Sequence, residues 1–182
     1  DRMQATLKFL EEVDKIQQYF SLDNSEAKVR ATVAEGVNVP IYILGSSTDS
    51  ARLAAKKGLP YAFASHFATS HLFEALDIYR NEFQPSQYLK EPYVIAGINA
   101  IVADSNKAAE NMFTTLIRMV VNLFMGKREY LNKPTEMTEE LHEILQNPSV
   151  QQMLKYSVVV NKETLKKQTK DFLVKTKANV SI

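Results

Sequence analysis

The sequence predicts an α/β protein built on a sheet of parallel strands, and three observations support this prediction. Short runs of apolar, β-branched and aromatic residues recur along the chain, at residues 39–44, 61–65 and 93–102. Each run is followed by polar residues suited to cap a helix and then by apolar residues at helical spacing. Successive strand-then-helix units of this kind are typical of parallel sheets.

The first unit has the clearest boundaries. Its strand, residues 39–44, stops at Gly45, and the polar side chains of residues 46–49 offer oxygens that cap the next helix. That helix is expected to end at Gly58, because glycine is the usual residue just past a helix C-terminus. Helical spacing of apolar residues also predicts a helix over residues 3–20, at the start of the chain.

The next two units follow the same pattern. The spacing of apolar residues predicts a helix over residues 70–83 after the second strand. After the third strand, the polar residues 103–106 are expected to cap a long helix that runs through residues 108–120.

After residue 124 the alternation of strands and helices is interrupted, and it resumes near the end of the chain. Residues 125–148 contain glycine, two prolines and many charges, which predicts an insertion with a small helix over residues 138–145. A short apolar run at residues 158–161 then leads into a basic amphipathic helix over residues 162–176. Residues 178–182 are expected to begin a last strand.

Composition indicates one soluble globular domain over residues 1–182, since 45% of the 182 residues are hydrophobic and 24% are charged. The 22 basic and 21 acidic residues give a net charge of +1, so no nucleic acid or acidic membrane is expected as a partner.

The absence of cysteine excludes disulfides and thiolate metal sites. No apolar run approaches the roughly 18 to 20 residues of a membrane span, and we expect a cytoplasmic protein that binds small molecules.

The turn Gly45-Ser46-Ser47 is the strongest local signal for chemistry. A turn between a strand and a helix can aim backbone N–H groups and hydroxyls at one anion, beside the positive end of the helix dipole. A phosphate would fit there. The alternative is an ordinary turn whose serines only cap the helix, and the turn matches neither a dinucleotide-binding glycine motif nor a P-loop.

Two further polar residues invite a functional or a structural interpretation. His66 follows the second strand at the carboxyl end, where parallel α/β folds place their sites, so it either takes part in binding or proton transfer or is satisfied by backbone. Asn99 lies in an apolar strand and bonds either a ligand or neighbouring backbone. No catalytic residue can be assigned, and the spacing of His71 and His142 predicts no metal site.

Several ordered segments resemble the luciferase-like flavin monooxygenases. The resemblance covers roughly residues 10 to 125, and more weakly beyond. The matching segments include residues 39–47, 50–55, 58–67, 75–80, 83–86, 92–94 and 102–105. The sequence departs from the family pattern at residues 160–164, where the usual glycine-serine-proline helix entry is missing, and at residues 178–182, which lack the usual acidic pair.

The resemblance implies the C-terminal portion of a (β/α)8 barrel, strands five to eight with their helices, and FMN at the carboxyl mouth. It implies that the turn after strand five receives the flavin phosphate, at Gly45, Ser46, Ser47 and Ser50. Ser65 and His66, after strand six, would lie near the flavin ring or the substrate. It also implies that reduced FMN and O2 oxidise a small organic substrate, with a separate reductase supplying the flavin.

A complete barrel takes about 250 residues, so the resemblance implies further strands before residue 3. Two other interpretations remain open from the sequence. The chain could be a truncated, non-catalytic paralogue that serves as a flavin- or phosphate-binding or dimerising module, covering its open strand edges with a second copy. It could also be a small doubly wound α/β domain that binds a phosphorylated ligand at the same turn. We expect a homo-oligomer.

Overall fold

The computed structural model describes residues 2–24 and 26–181, and the side chains of the first helix from residue 8 onward. Within these residues the chain forms seven α-helices, six strands and one 3-10 helix, Leu22–Asn24. The helices and strands are, in chain order, α1 (Arg2–Phe20), β1 (Ile43–Gly45), α2 (Thr48–Lys57), β2 (Tyr61–Phe63), α3 (Leu72–Asn81), β3 (Val94–Ala96), β4 (Asn99–Ala103), α4 (Asn106–Phe124), α5 (Glu139–Gln146), α6 (Pro148–Leu154), β5 (Ser157–Asn161), α7 (Lys162–Thr176) and β6 (Val180–Ser181).

The main sheet confirms the predicted parallel arrangement. Its four strands lie in the order β1, β2, β3, β6, and every neighbouring pair is parallel. The strands of this sheet therefore lie in the same order as they occur along the chain. A second, two-stranded parallel sheet joins β4 to β5.

The two faces of the main sheet are buried to different extents. Ile43, Tyr61 and Phe63 lie in the core formed with α2 and α3. On the other face, Leu44 of β1 is level with Ala62, Ile95 and Val180 in successive strands, and it is 68% exposed. Helices on one face and sequential strand order describe part of a barrel wall, whereas a doubly wound sheet carries helices on both faces.

Helix α2 begins and ends where the sequence predicts. Ser47 is its N-cap residue. Gly58 follows its last residue in the left-handed conformation, with φ of 58°, and its N–H donates to the carbonyls of Ala54 and Ala55. Glycine adopts this conformation without strain, so the chain reverses here and enters β2.

Among the described residues, no helix is long and apolar enough to cross a membrane.

The first predicted strand, residues 39–44, is shorter than expected. Only Ile43–Gly45 pairs as a strand, and the side chains of Val39 and Tyr42 are exposed. Pro40 has no N–H to contribute to a ladder, and β1 has a partner strand on only one side within the described residues. Hydrophobicity alone therefore overestimated the length of the strand.

The third predicted strand, residues 93–102, is two strands in two different sheets. Strand β3 belongs to the main sheet, and β4 belongs to the second sheet. The chain changes sheets at Gly97, whose N–H donates to the carbonyl of Phe63 at 2.9 Å. A side chain at position 97 would lie only 2.7 Å from Nδ1 of His66, so glycine allows the chain to leave the sheet here.

Residues 125–148, which the sequence predicts as an insertion, contain helix α5, which packs with α4 and α6 around a second small core. Helix α5 begins after Thr138, as the sequence predicts. Helix α6 was not predicted, because Pro148 was interpreted as a break. Proline is instead the first residue of α6, where its missing N–H costs nothing. The side chains that form this second core are Ile117, Val120, Leu141, Val150 and Leu154.

The predicted last helix and strand are present as α7 and β6; Ile182 lies outside the described residues. Arg80 of α3 donates to the carbonyls of Thr176 and Lys177 at the end of α7, at 2.7 and 2.9 Å. Asn179 and Val94 exchange two hydrogen bonds, which align β6 beside β3. These contacts place β6 as the fourth strand of the barrel wall.

Candidate functional site

The turn after β1 is a capping box. Oγ of Ser47 accepts a hydrogen bond from the N–H of Ser50, and Oγ of Ser50 accepts one from the N–H of Ser47, both at 3.3 Å. These two bonds satisfy donors that a helix N-terminus otherwise leaves without partners. The arrangement holds the turn in one conformation at the carboxyl end of β1.

The side chain of Ser50 points into this turn rather than away from it. Its hydroxyl carries one proton, which it donates to the carbonyl of Ser47 at 2.7 Å. It also lies 2.9 Å from the hydroxyl of Tyr61. A β-carbon at Gly45 would collide with Oγ and Cβ of Ser50, so glycine is required beneath the turn. Ser50 and Gly45 therefore shape the turn from inside.

Tyr61 supports the turn from the neighbouring strand. It is completely buried in the core, and its hydroxyl donates to the carbonyl of Ser47 at 3.1 Å. Burial raises the pKa of Tyr61 to about 12, although the neighbouring hydroxyl of Ser50 acts in the opposite direction. The phenol therefore stays protonated, and able to donate, across the ordinary range of pH.

The raised pKa predicts a loss of stability at alkaline pH. An exposed tyrosine in the unfolded chain loses its proton near pH 10, whereas Tyr61 in the folded chain keeps it to about pH 12. The contribution of Tyr61 is therefore complete below pH 10 and is lost as the pH rises to about 12, by up to roughly 3 kcal/mol. Urea unfolding across this range should show a smaller fall for Tyr61→Phe; an equal fall would contradict the assignment.

The outward side of the turn offers hydrogen-bond donors. Among the described residues, the hydroxyl of Ser46 has no hydrogen-bond partner, and the N–H of Thr48, the first of α2, has no acceptor within the helix. Asp49 in this turn lies 3.9 Å from Arg52, so its negative charge is partly balanced. Neutral donors at the positive end of a helix suit an anion such as phosphate.

Ser65 lies behind the candidate site. It follows β2, it is completely buried, and its hydroxyl donates to the carbonyl of Gly97 at 2.5 Å. This bond ties the end of β2 to the point where the chain leaves β3. The resemblance implies that Ser65 lies near the flavin ring or the substrate; the hydrogen bond of its hydroxyl is with backbone.

His66 is half-buried at the same edge of the sheet. Its ring lies against Gly97 and meets the ring of Phe67 edge-on, with centroids 4.7 Å apart. In the part of the chain that the structure describes, neither ring nitrogen has a hydrogen-bond partner. The imidazole is therefore free to bond a ligand, while its backbone is held in place.

The structure places the Gly45 turn and the Ser65-His66 segment side by side. Gly45 is the register partner of Phe63, and its carbonyl accepts a hydrogen bond from the N–H of Ala64 at 2.9 Å. Both groups therefore lie at the carboxyl edge of the sheet, in neighbouring strands.

Asn99 holds the segment that carries His66. Its Nδ2 donates to the carbonyl of His66 at 2.6 Å and lies 3.4 Å from Oγ of Ser157. Of the two interpretations of Asn99 from the sequence, a hydrogen bond to neighbouring backbone is the one observed. The same loop is tied to α6 by two hydrogen bonds between Thr69 and Gln152. Helix α6 thus helps to hold the loop that carries His66.

Asn99→Asp is expected to destabilise the fold by about 2 kcal/mol, because a carboxylate would face the carbonyl of His66 and leave it without a donor. Asn106→Asp is the matched control. Asn106 uses only its Oδ1, to accept from the N–H of Asn161, and aspartate keeps that oxygen. Equal midpoints of urea unfolding for the two variants would contradict this role of Asn99.

A cavity of about 500 Å³ lies at the opposite, amino ends of β1 and β2. Pro40, Ile41, Leu59 and Pro60 form part of its wall, and none of its lining residues is charged. It offers nothing comparable to the N-terminus of α2 for an anion. The carboxyl edge of the sheet is the better candidate site.

Sequence reasoning missed two residues of this site, Tyr61 and Gly97. Tyr61 was interpreted only as part of a strand, and its contact with Ser47 joins residues 14 positions apart. Gly97 lies within the predicted apolar strand at residues 93–102, and a glycine inside a strand is a signal that the chain can change direction there. The hydroxyl of Tyr61 gave no comparable signal.

These features define a class: an α/β barrel protein with a candidate anion site at the carboxyl edge of its parallel strands. The model of the family "Luciferase-like monooxygenase" matches residues 8–175. The chain therefore belongs to the luciferase-like monooxygenase family. The predicted family and the predicted partial barrel are both confirmed.

Curated relatives agree with this assignment. The chain is 37% identical over 171 residues to a protein of Escherichia coli (strain K12) named "Luciferase-like monooxygenase". It is also 37% identical over 172 residues to the uncharacterized protein YvbT of Bacillus subtilis (strain 168). Both matches cover 94% of this chain but only 51% of the relative. The chain thus spans about half the length of these relatives.

A solved structure shows the same fold. The crystal structure of apo-MsnO8 superposes with a TM-score of 0.76 at 21% sequence identity. The match covers 96% of this chain and 54% of that protein. Together with the parallel, sequential strands β1, β2, β3 and β6, it identifies the chain as a partial (β/α)8 barrel.

Proposed function

We propose that the protein is an FMN-dependent monooxygenase, in which reduced FMN and O2 oxidise a small organic substrate. Family membership supports a flavin-dependent monooxygenase in general. The choice of FMN rests on one observation, the rigid turn after β1 with outward donors at the N-terminus of α2. FMN ends in a phosphate, which this turn suits.

The phosphate would be held by the hydroxyls of Ser46 and Ser47 and by the N–H of Thr48, the first amide of α2. Oγ of Ser47 accepts from the N–H of Ser50, and it donates to Oγ of Ser50 over a long 3.4 Å; its proton would turn outward to the phosphate in place of that bond. Gly45 keeps side-chain bulk away from the turn, and Ser50 holds the turn from inside. Ser50 therefore contributes to phosphate binding through the shape of the turn.

His66 would lie beside the flavin ring or the substrate, because it stands at the same edge of the sheet on the next strand. Ser65 would serve by fixing the carbonyl of Gly97. Reduced flavin supplies the electrons that activate O2, so the residues of this chain need only bind, orient and exclude water.

The remaining parts of the proposal concern partners and location. A separate flavin reductase would supply reduced FMN, and the protein would assemble as a homo-oligomer. The absence of cysteine is compatible with a reducing cytoplasm. Neither nucleic acid nor a membrane is proposed as a partner.

The function is tested with the protein in its full natural length. Titration with FMN should quench flavin fluorescence, and reduced FMN should support O2 consumption that rises when a substrate is added. A protein that leaves FMN fluorescence unchanged at every concentration would overturn the FMN assignment.

The partly exposed side chains of Leu44, Ala62, Ile95 and Val180, which form a row on the face of the main sheet away from α2 and α3, favour a second candidate, a non-catalytic module that covers this face with another copy. Leu44 of that row is 68% exposed, and parallel sheets are normally covered on both faces. Light scattering on the 182-residue chain separates the two candidates. A uniform dimer that shows no oxygen consumption with reduced FMN would favour the module.

A further inference from the structure

The carbonyl oxygen of Ser47 is held by three donors at once. The N–H of Ala51 donates to it at 3.3 Å as the first bond of α2. The hydroxyl of Ser50 donates at 2.7 Å and that of Tyr61 at 3.1 Å. A helical carbonyl needs only one of these bonds. The two hydroxyls add a constraint that helix formation does not require.

This constraint fixes the direction of an outward N–H. The peptide bond between Ser47 and Thr48 is trans, as are all those described, so its C=O and N–H point in opposite directions. Because the carbonyl of Ser47 points inward to Tyr61 and Ser50, the N–H of Thr48 points outward from the turn. This N–H is one of the donors available to an anion.

Tyr61 is a rigid support for this peptide group. Its ring is completely buried and packs against the rings of Phe63 and Tyr79, with centroids 6.2 and 5.3 Å away. Its hydroxyl cannot leave the turn without moving a packed aromatic ring. Tyr61 and the proposed phosphate would lie on opposite sides of the same peptide group.

We propose that Tyr61 is a positioning residue that sets the preference of the site for phosphorylated flavin over riboflavin, without touching the phosphate. The proposal rests on the proposed function, because it assigns a role to a residue behind the FMN phosphate turn. Binding energy from the outward donors depends on their being held in position before the ligand arrives. Loss of the tyrosine hydroxyl should loosen the turn and weaken only those interactions that reach phosphate.

The test compares the affinities for FMN and riboflavin in the natural full-length protein and in Tyr61→Phe. Riboflavin carries the same ring without the phosphate. Removing one neutral hydrogen bond is expected to lower the preference for FMN about fivefold. The affinity for riboflavin should stay unchanged. A general loss of stability would lower the affinities for FMN and riboflavin together, so the ratio of the two affinities isolates the positioning role.

Tyr79→Phe is the matched control. Tyr79 is equally buried, but its hydroxyl donates to the carbonyl of Leu59 at 2.9 Å and accepts from the N–H of Tyr93 at 3.1 Å. The Tyr79→Phe variant therefore loses a buried hydroxyl away from the turn, and its preference for FMN should equal that of the unmodified protein. Ser50→Ala removes the other hydroxyl donor to Ser47 and should also lower the preference, should Tyr61→Phe fail to fold.

The outcomes separate this inference from the function on which it rests. An unmodified protein that binds FMN and riboflavin equally would overturn the proposed phosphate site, and this role of Tyr61 with it. An unmodified protein that prefers FMN, together with an unchanged preference in Tyr61→Phe or in Ser50→Ala, would overturn the positioning role alone. A lowered preference in Tyr79→Phe would also overturn it, because the effect would not be specific to the turn.

Discussion

Gly45→Ala is expected to destabilise the protein by about 3 kcal/mol and to abolish its binding of FMN. The added methyl group would collide with both Oγ and Cβ of Ser50, and overpacking of this kind typically costs 1 to 3 kcal/mol or more. Ser50 cannot move aside without breaking its hydrogen bond to the carbonyl of Ser47 and losing its contact with Tyr61. Urea unfolding measures the stability, and fluorescence titration measures FMN binding.

A double-mutant cycle identifies the collision as the cause. Ser50→Gly removes both colliding atoms, so the pair Gly45→Ala with Ser50→Gly should be more stable than the sum of the two single changes predicts. Strict additivity would show that the methyl group at position 45 acts through another neighbour.

Ser47→Asp is expected to weaken FMN binding by on the order of a hundredfold while leaving the fold as stable as before. Aspartate is as good an N-cap as serine, and its charge favours a helix N-terminus. The same carboxylate would stand beside a phosphate that carries nearly two negative charges, and repulsion at such short range costs several kcal/mol. Parallel titrations with FMN and riboflavin should show the loss for FMN alone.

Ser105→Asp provides the control for this change. Ser105 is the N-cap of α4, where its Oγ accepts from the N–H of Ala108 at 3.2 Å. The substitution adds the same charge to an N-cap outside the main sheet and should leave FMN affinity unchanged. The phosphate assignment would be contradicted if Ser47→Asp bound FMN as tightly as Ser105→Asp does.

The local features of the fold were predictable from the sequence because they depend on neighbouring residues. The cap at Ser47 and the stop at Gly58 each involve residues within five positions of one another. The parallel sheet followed from the repeated strand-helix units. Local rules of this kind need no knowledge of the tertiary structure.

Features that depend on tertiary contacts were not predictable in the same way. The division of residues 93–102 into β3 and β4 depends on the contact of Gly97 with His66, across 31 positions. Apolar periodicity is the same whether such a run is one strand or two. Helix α6 was missed because Pro148 both ends one helical pattern and begins another.

The candidate site was predictable only in part. Sequence and resemblance together selected Ser46, Ser47 and His66, which lie at the carboxyl edge of the sheet. They did not reveal that the hydroxyls of Ser50 and Ser65 bond to backbone. The hydroxyl of Tyr61 was also missed, because its contact with the turn arises only when β1 and β2 lie side by side.

The turn after β1 is proposed to hold the phosphate of FMN, and a crystal structure of the natural full-length protein with FMN tests this proposal. Phosphate oxygens are expected within about 2.6 to 3.2 Å of Oγ of Ser46, Oγ of Ser47 and the backbone nitrogen of Thr48. A phosphate bound elsewhere, with these three groups making no contact to it, would contradict the phosphate assignment.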